Sequence, residues 1–163
     1  MYLIPSFSVD HTAIIPGIFT SRKDTVGGGL VTTYDIRLKR PNREPVIDVA
    51  AMHSLEHIIA TFLRNDPDWK DEVIYWGPMG CLTGFYLILK GDRQPNEIFD
   101  LLLRAFKSVA DAESVPAPLP KTADTVLCMI SAWQNGMRLN LLNTLKQTPK
   151  MQIFLSIRRP NVL

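Results

Sequence analysis

The stretch VAAMHSLEHIIATF, Val49 to Phe62, sets the element from which the rest of the chain is read. Met52, Leu55, Ile59 and Phe62 or Leu63 recur three and four apart, the spacing that makes one side of an α-helix apolar. Asp48 stands where an N-cap is wanted, so the pattern predicts a helix from there to about Arg64. His53, His57, Ala60 and Arg64 fall on a neighbouring face. Residues four apart on a helix point the same way, so His53 and His57 can offer imidazole nitrogens to one ion, with Glu56 beside them to handle protons. The same spacing also suits two surface histidines beside a salt-bridging glutamate, and this stretch alone does not choose.

Outward from the helix the signals become those of strands. TTYDIRLK, Thr32 to Lys39, alternates strictly. Thr32, Tyr34, Ile36 and Leu38 make one face, and Thr33, Asp35, Arg37 and Lys39 a second face that is wet or functional. RKDTVGGGL before it reads as a turn. It is not a phosphate loop, since no lysine follows its glycines at the required spacing. NDPDWKDE ends the helix. VIYWGPMGCLTGFYLILKGD reads as a strand, a Gly/Pro turn holding Cys81, and a second strand with Phe85, Leu87 and Leu89 on one side. Pro95 is expected to open another helix, whose Ile98, Leu101, Leu102, Ala105 and Val109 form a core stripe. SVPAPLP is a proline-stiffened connector.

With 163 residues, 46% of them hydrophobic and 21% charged, the chain has the composition of an ordinary globular domain. No apolar run approaches a bilayer span and MYLIPSFSVDHT lacks the pattern of a signal peptide, so a cytoplasmic location is expected. The two cysteines, Cys81 and Cys128, do not suggest a disulfide framework. Beyond Lys121 five basic residues (Arg138, Lys146, Lys150, Arg158, Arg159) face one acid, Asp124, whereas the remainder carries thirteen basic and fifteen acidic groups. So sparse a basic tail makes a poor nucleic-acid or membrane footprint, and neither partner is expected. Cys81 lies in a glycine- and proline-bounded turn that leaves backbone amides near its sulfur. That setting suits an acid/base thiol or nucleophile, and a buried cysteine serving only as a small hydrophobe suits it too.

SFSVDHT, YDIRLKRPN, HSLEH and PMGCLTGFYLI, in this order and spacing, resemble S-ribosylhomocysteine lyase, the LuxS family that makes the precursor of autoinducer-2. The resemblance covers about residues 5 to 121. It implies an α+β fold, a single domain with an antiparallel sheet packed with helices, as a homodimer with active sites at the subunit interface. It also implies a ferrous ion, replaceable by zinc or cobalt, on His53 and His57. Glu56 and Cys81 would be the acid/base pair, and Ser6, His11 and Arg37 would hold the substrate S-ribosylhomocysteine. Two positions depart from the family: Tyr75 stands where an acid is common, and Leu82 where arginine follows the cysteine. An HxxEH metallopeptidase is the competing enzyme class, but it leaves the PMGC turn unexplained. A truncated, inactive relative that only dimerises or binds is the non-enzymatic reading.

By the same resemblance the third metal ligand is a cysteine that should fall at Ala123, and nothing after Lys121 looks like the family. Cys128, five residues later in an unrelated context, is a poor substitute. Reading the codons one base earlier forces aspartate across Met129 and Ile130, and alanine across Trp133 and Gln134. It also permits a Cys-Gly pair at the expected distance, followed by His-Asp-Leu. The expectation is a domain over 1–121 and an atypical, frameshifted tail over 122–163.

Overall fold

A computed structural model describes residues 9–116. Four strands form one antiparallel sheet: β1 (Gly17–Val26), β2 (Gly29–Arg37), β3 (Val73–Pro78) and β4 (Gly84–Lys90), in the order β1-β2-β4-β3. Two helices, α1 (Val49–Asn65) and α2 (Phe99–Asp111), complete an α+β domain. The helix expected from Asp48 is present. Asp48 caps α1 with its side-chain oxygen, which accepts from the amides of Ala50 at 2.9 Å and Ala51 at 3.3 Å. Those two amides have no partner inside the helix, and the cap supplies one.

The alternation of β2 holds. Tyr34 and Ile36 are fully buried and Leu38 nearly so, in one cluster with Ile18, Phe85, Leu87 and Leu89 of the sheet. Met52, Leu55, Ile59 and Leu63 of α1 and Leu101, Leu102, Ala105 and Val109 of α2 close that cluster. Phe62, offered as an alternative to Leu63, is only partly buried; Leu63 is the core residue. Trp76 stacks on Phe85 with ring centroids 4.6 Å apart, fixing β3 against β4. The helices therefore cover one face of the sheet. On the other, Asp35 pairs with Tyr86 and Thr33 with Ile88, and Tyr75 and Tyr86 stay 46% and 37% exposed.

Two expectations need correction. RKDTVGGGL is not all turn. Its first half belongs to β1, which pairs with β2 from Gly17 opposite Arg37 to Val26 opposite Gly29. Only Gly27 and Gly28 turn, both at positive φ (57° and 81°), as a two-residue hairpin with right-handed strand twist requires. The second helix does not open at Pro95. Residues 95–98 form a turn and α2 begins at Phe99, with Ile98 at the N-cap position and no side-chain cap.

Candidate active site

β2 ends at Arg37, and there the polar face of the strand turns into a buried ion pair. Asp35, two residues earlier on the same face, accepts from Arg37 Nε at 3.1 Å and from Nη2 at 2.5 Å. Arg37 is 5% exposed, so the guanidinium would be costly without this bidentate partner. Burial pushes Asp35 above the ordinary carboxylate value, and the hydrogen bonds and charge of Arg37 pull it back only in part. Burial also acts on Arg37, but Asp35 and, after it, Cys81 together outweigh burial and hold the guanidinium charged.

The remaining donor of Arg37, Nη1, crosses to the loop between β3 and β4. It donates to Thr83 Oγ1 at 2.5 Å and approaches Cys81 Sγ at 3.5 Å, and Thr83 Oγ1 lies 3.0 Å from that sulfur. Burial alone would raise the thiol. The hydroxyl and amide of Thr83 and the charge of Arg37 outweigh it, so Cys81 ionises below its ordinary value of 9.0. Backbone hydrogen bonds hold the loop in place. The Met79 amide donates to Gly84 O, the Leu82 amide to Met79 O, and the Ile47 amide to Leu82 O. Leu82 takes the left-handed conformation (φ 56°) in which glycine would be the usual residue. Gly84 is required sterically: a Cβ there would meet Ile36 O at 2.3 Å.

The second cluster is on α1. His53 Nε2 and His57 Nε2 face each other at 3.1 Å, both rings half-buried. Two nitrogens bound to one ion at about 2.0–2.1 Å lie about 2.9–3.4 Å apart for angles between square and tetrahedral. The pair therefore fits a shared divalent cation. His57 Nδ1 lies 3.2 Å from Pro116 O, and donation to that carbonyl leaves the Nε2 lone pair for a metal. Among the described residues no group of three His, Cys, Asp or Glu side chains converges on one point. The position of Ala123, like Cys128 and Ser6, lies outside the described residues.

The structure thus joins Arg37 to Cys81 and His53 to His57. Glu56 is half-buried on α1 between the two imidazoles in sequence. His11 is exposed, its Nδ1 2.8 Å from Val9 O and its ring near enough to lower Asp35 electrostatically. Thr83 and Asp35 are site residues that the sequence did not single out. Asp35 had a signal, its place two residues from Arg37 on the polar face of one strand; Thr83 had none.

The class of protein is a carbon–sulfur lyase. A family model described as S-Ribosylhomocysteinase (LuxS) matches residues 4–129, past Lys121 and over most of the chain. The chain belongs to the LuxS family. Proteins named S-ribosylhomocysteine lyase share this likeness. The one from Phocaeicola vulgatus is 52% identical over 128 residues, covering 78% of this chain and 80% of the relative. That of Desulfotalea psychrophila is 54% identical over 110 residues, covering 68% and 69%. That of Finegoldia magna is 43% identical over 152 residues, covering 90% and 96%.

Proposed function

We propose that this chain cleaves S-ribosyl-L-homocysteine to L-homocysteine and 4,5-dihydroxy-2,3-pentanedione, the precursor of autoinducer-2. The observation that carries the reading is the buried Arg37 guanidinium aimed at Cys81. Arg37 and Thr83 make the thiol easier to ionise than an ordinary cysteine, in a family whose curated members are named for this reaction.

Cys81 takes a proton from a carbon of the ribosyl chain and returns it to the neighbouring carbon or oxygen. Glu56 moves the protons that the thiol does not reach. After the carbonyl has migrated, a base removes the proton next to it and the carbon–sulfur bond breaks. The electron pair leaves on sulfur, and homocysteine thiolate takes up a proton. Ser6, His11 and Arg37 bind the ribosyl and homocysteine ends of the substrate. His53 and His57 would hold a ferrous ion, for which zinc or cobalt could substitute; the third ligand is expected at position 123, where the alanine of this sequence has no donor atom, and Cys128 would be a weak substitute. The metal's contribution is to polarise the sugar carbonyl.

A second copy of the chain covers the open sheet face around Tyr75 and Tyr86, making a cytoplasmic homodimer. We read the domain as 1–121 and the tail 122–163 as frameshifted, against a family match that itself continues to residue 129. Sequencing the codons from Pro120 to Asp124 and counting adenines tests that reading. One adenine more than this translation implies is expected; an unchanged count removes the frameshift.

Incubation with S-ribosylhomocysteine and a chromogenic thiol reagent tests the reaction, with a casein digest in parallel for the peptidase alternative. Thiol release by the wild type, lost at least 100-fold in Cys81→Ala and Glu56→Gln, is the expected result. Casein cleavage without thiol release would overturn it. A second reading, an inactive homologue, is favoured by one fact: only two candidate metal ligands meet among the described residues. Stoichiometric iron or zinc in the purified protein, lost in His53→Ala, would exclude it.

A further inference from the structure

Thr83 touches both members of the pair on which the proposed chemistry rests, and neither the resemblance nor the comparisons give it a role. We infer that Thr83 is a positioning residue. Its hydroxyl, oriented by Arg37, hands a hydrogen bond to Cys81 and so carries the influence of the guanidinium to the sulfur.

The donor set allows that direction and a thiolate would fix it. A guanidinium has no acceptor, so Arg37 Nη1 must donate to Thr83 Oγ1 at 2.5 Å. A hydroxyl has one proton, and with its oxygen occupied by Arg37 that proton is free to point at Sγ, 3.0 Å away. The sulfur then receives this bond and the longer one from Arg37 at 3.5 Å. Two donors within reach of one sulfur suit a thiolate, which only accepts, better than a thiol, a weak acceptor. A hydroxyl polarised by a charged donor is also the stronger donor itself.

Placement supports the assignment. Thr83 is 2% exposed, and its carbonyl accepts from the amides of Leu38 at 2.9 Å and Lys39 at 3.0 Å, so its backbone is fixed to the end of β2. With the backbone fixed and the oxygen held by Arg37, the hydroxyl has a set place beside the sulfur. The alternative is that Thr83 merely fills buried space, a role that valine, of the same shape, would perform equally well.

The inference rests on Cys81 being the proton-moving thiol of the proposed lyase, and the test reads the two separately. Full-length wild type, Thr83→Val, Thr83→Ser and Thr83→Ala are alkylated with iodoacetamide across pH 5–10. The Cys81 peptide is quantified by mass spectrometry so that Cys128 does not contribute. The other titratable or charged groups facing the thiol are Arg37 and Tyr86, with Asp35 paired to Arg37 and His11 near Asp35. All are retained in every variant.

Thr83→Val is expected to move the alkylation midpoint up by about one pH unit and to slow alkylation about tenfold below it. Thr83→Ser should lie within about threefold of wild type. Should the valine variant fail to fold, alanine against serine gives the same comparison. With S-ribosylhomocysteine the expected effect is on kcat, with KM little changed. A folded valine or alanine variant with the wild-type pH profile would overturn the inference even if the enzyme turns over. A shifted profile in a protein that releases no thiol from S-ribosylhomocysteine would leave Thr83's role standing and sink the lyase reading.

Discussion

Tyr34 sits fully buried, and its phenol donates to the Arg93 carbonyl at 2.7 Å. Burial is the main reason its proton is held more tightly, raising it from 10.0 to about 12. The folded state favours the neutral phenol. Its contribution is therefore complete below pH 10 and is lost as pH rises from there through about 12. Urea midpoints measured from pH 9 to 12 should fall more steeply in the wild type than in Tyr34→Phe. The variant is expected to start about 1 kcal/mol lower for want of its hydrogen bond. Parallel curves would show that Tyr34 does not titrate in the unfolding step. The sequence disclosed this residue well, because strict alternation in β2 put Tyr34 on the core side and Arg37 on the other. It did not disclose Thr83, whose contact with Arg37 spans 46 positions and depends on the register of two strands. No local pattern records a register.

Among the elements, the two that interrupt the period of their neighbours were the ones misjudged. β1 carries Thr20, Arg22, Lys23 and Asp24 on an edge, with a register shift between Thr20 and Arg22, so its alternation is broken where a strand would be sought. α2 has the expected stripe but starts late, since Pro95 stiffens a turn instead of a first helical turn. By contrast α1 was legible from cap to last core residue. Replacing its cap, Asp48→Ala, should cost about 1 kcal/mol in urea unfolding. Because the cap lies little more than a turn before His53, the same variant should also bind zinc more weakly in a competition titration. The junction of β2 and β4 is more demanding. Gly84→Ala pushes a methyl into Ile36 O, and a stability loss of about 1–3 kcal/mol is expected, together with slower alkylation of Cys81. Wild-type stability in that variant would mean that the strand ends separate more easily than the close approach implies.

At the scale of the molecule, the sheet has one face under its helices and one open among the described residues, where Tyr86 lies opposite Asp35 and Tyr75 opposite Ile88. An aromatic face of this kind is ordinarily covered by a partner. Sedimentation equilibrium should give about twice the 18.4 kDa of the chain, and Tyr86→Lys should shift the species toward monomer. A wild-type monomer at high micromolar concentration would leave the face without its proposed occupant.

The strand order also sets a sequence of events in time. β1 and β2 are joined by two glycines and can zip as a hairpin in roughly 1–10 μs. The pairing of β2 with β4 must instead wait for a long loop, with α1 inside it, to close. Arg37 and Thr83 meet only when that pairing is in register, and Cys81 behaves as an ordinary thiol until they do. The reactivity of this one sulfur is therefore a built-in clock. In a refolding experiment pulsed with iodoacetamide near neutral pH, its rise marks the moment the two halves of the sheet close, after the hairpin and α1 have formed.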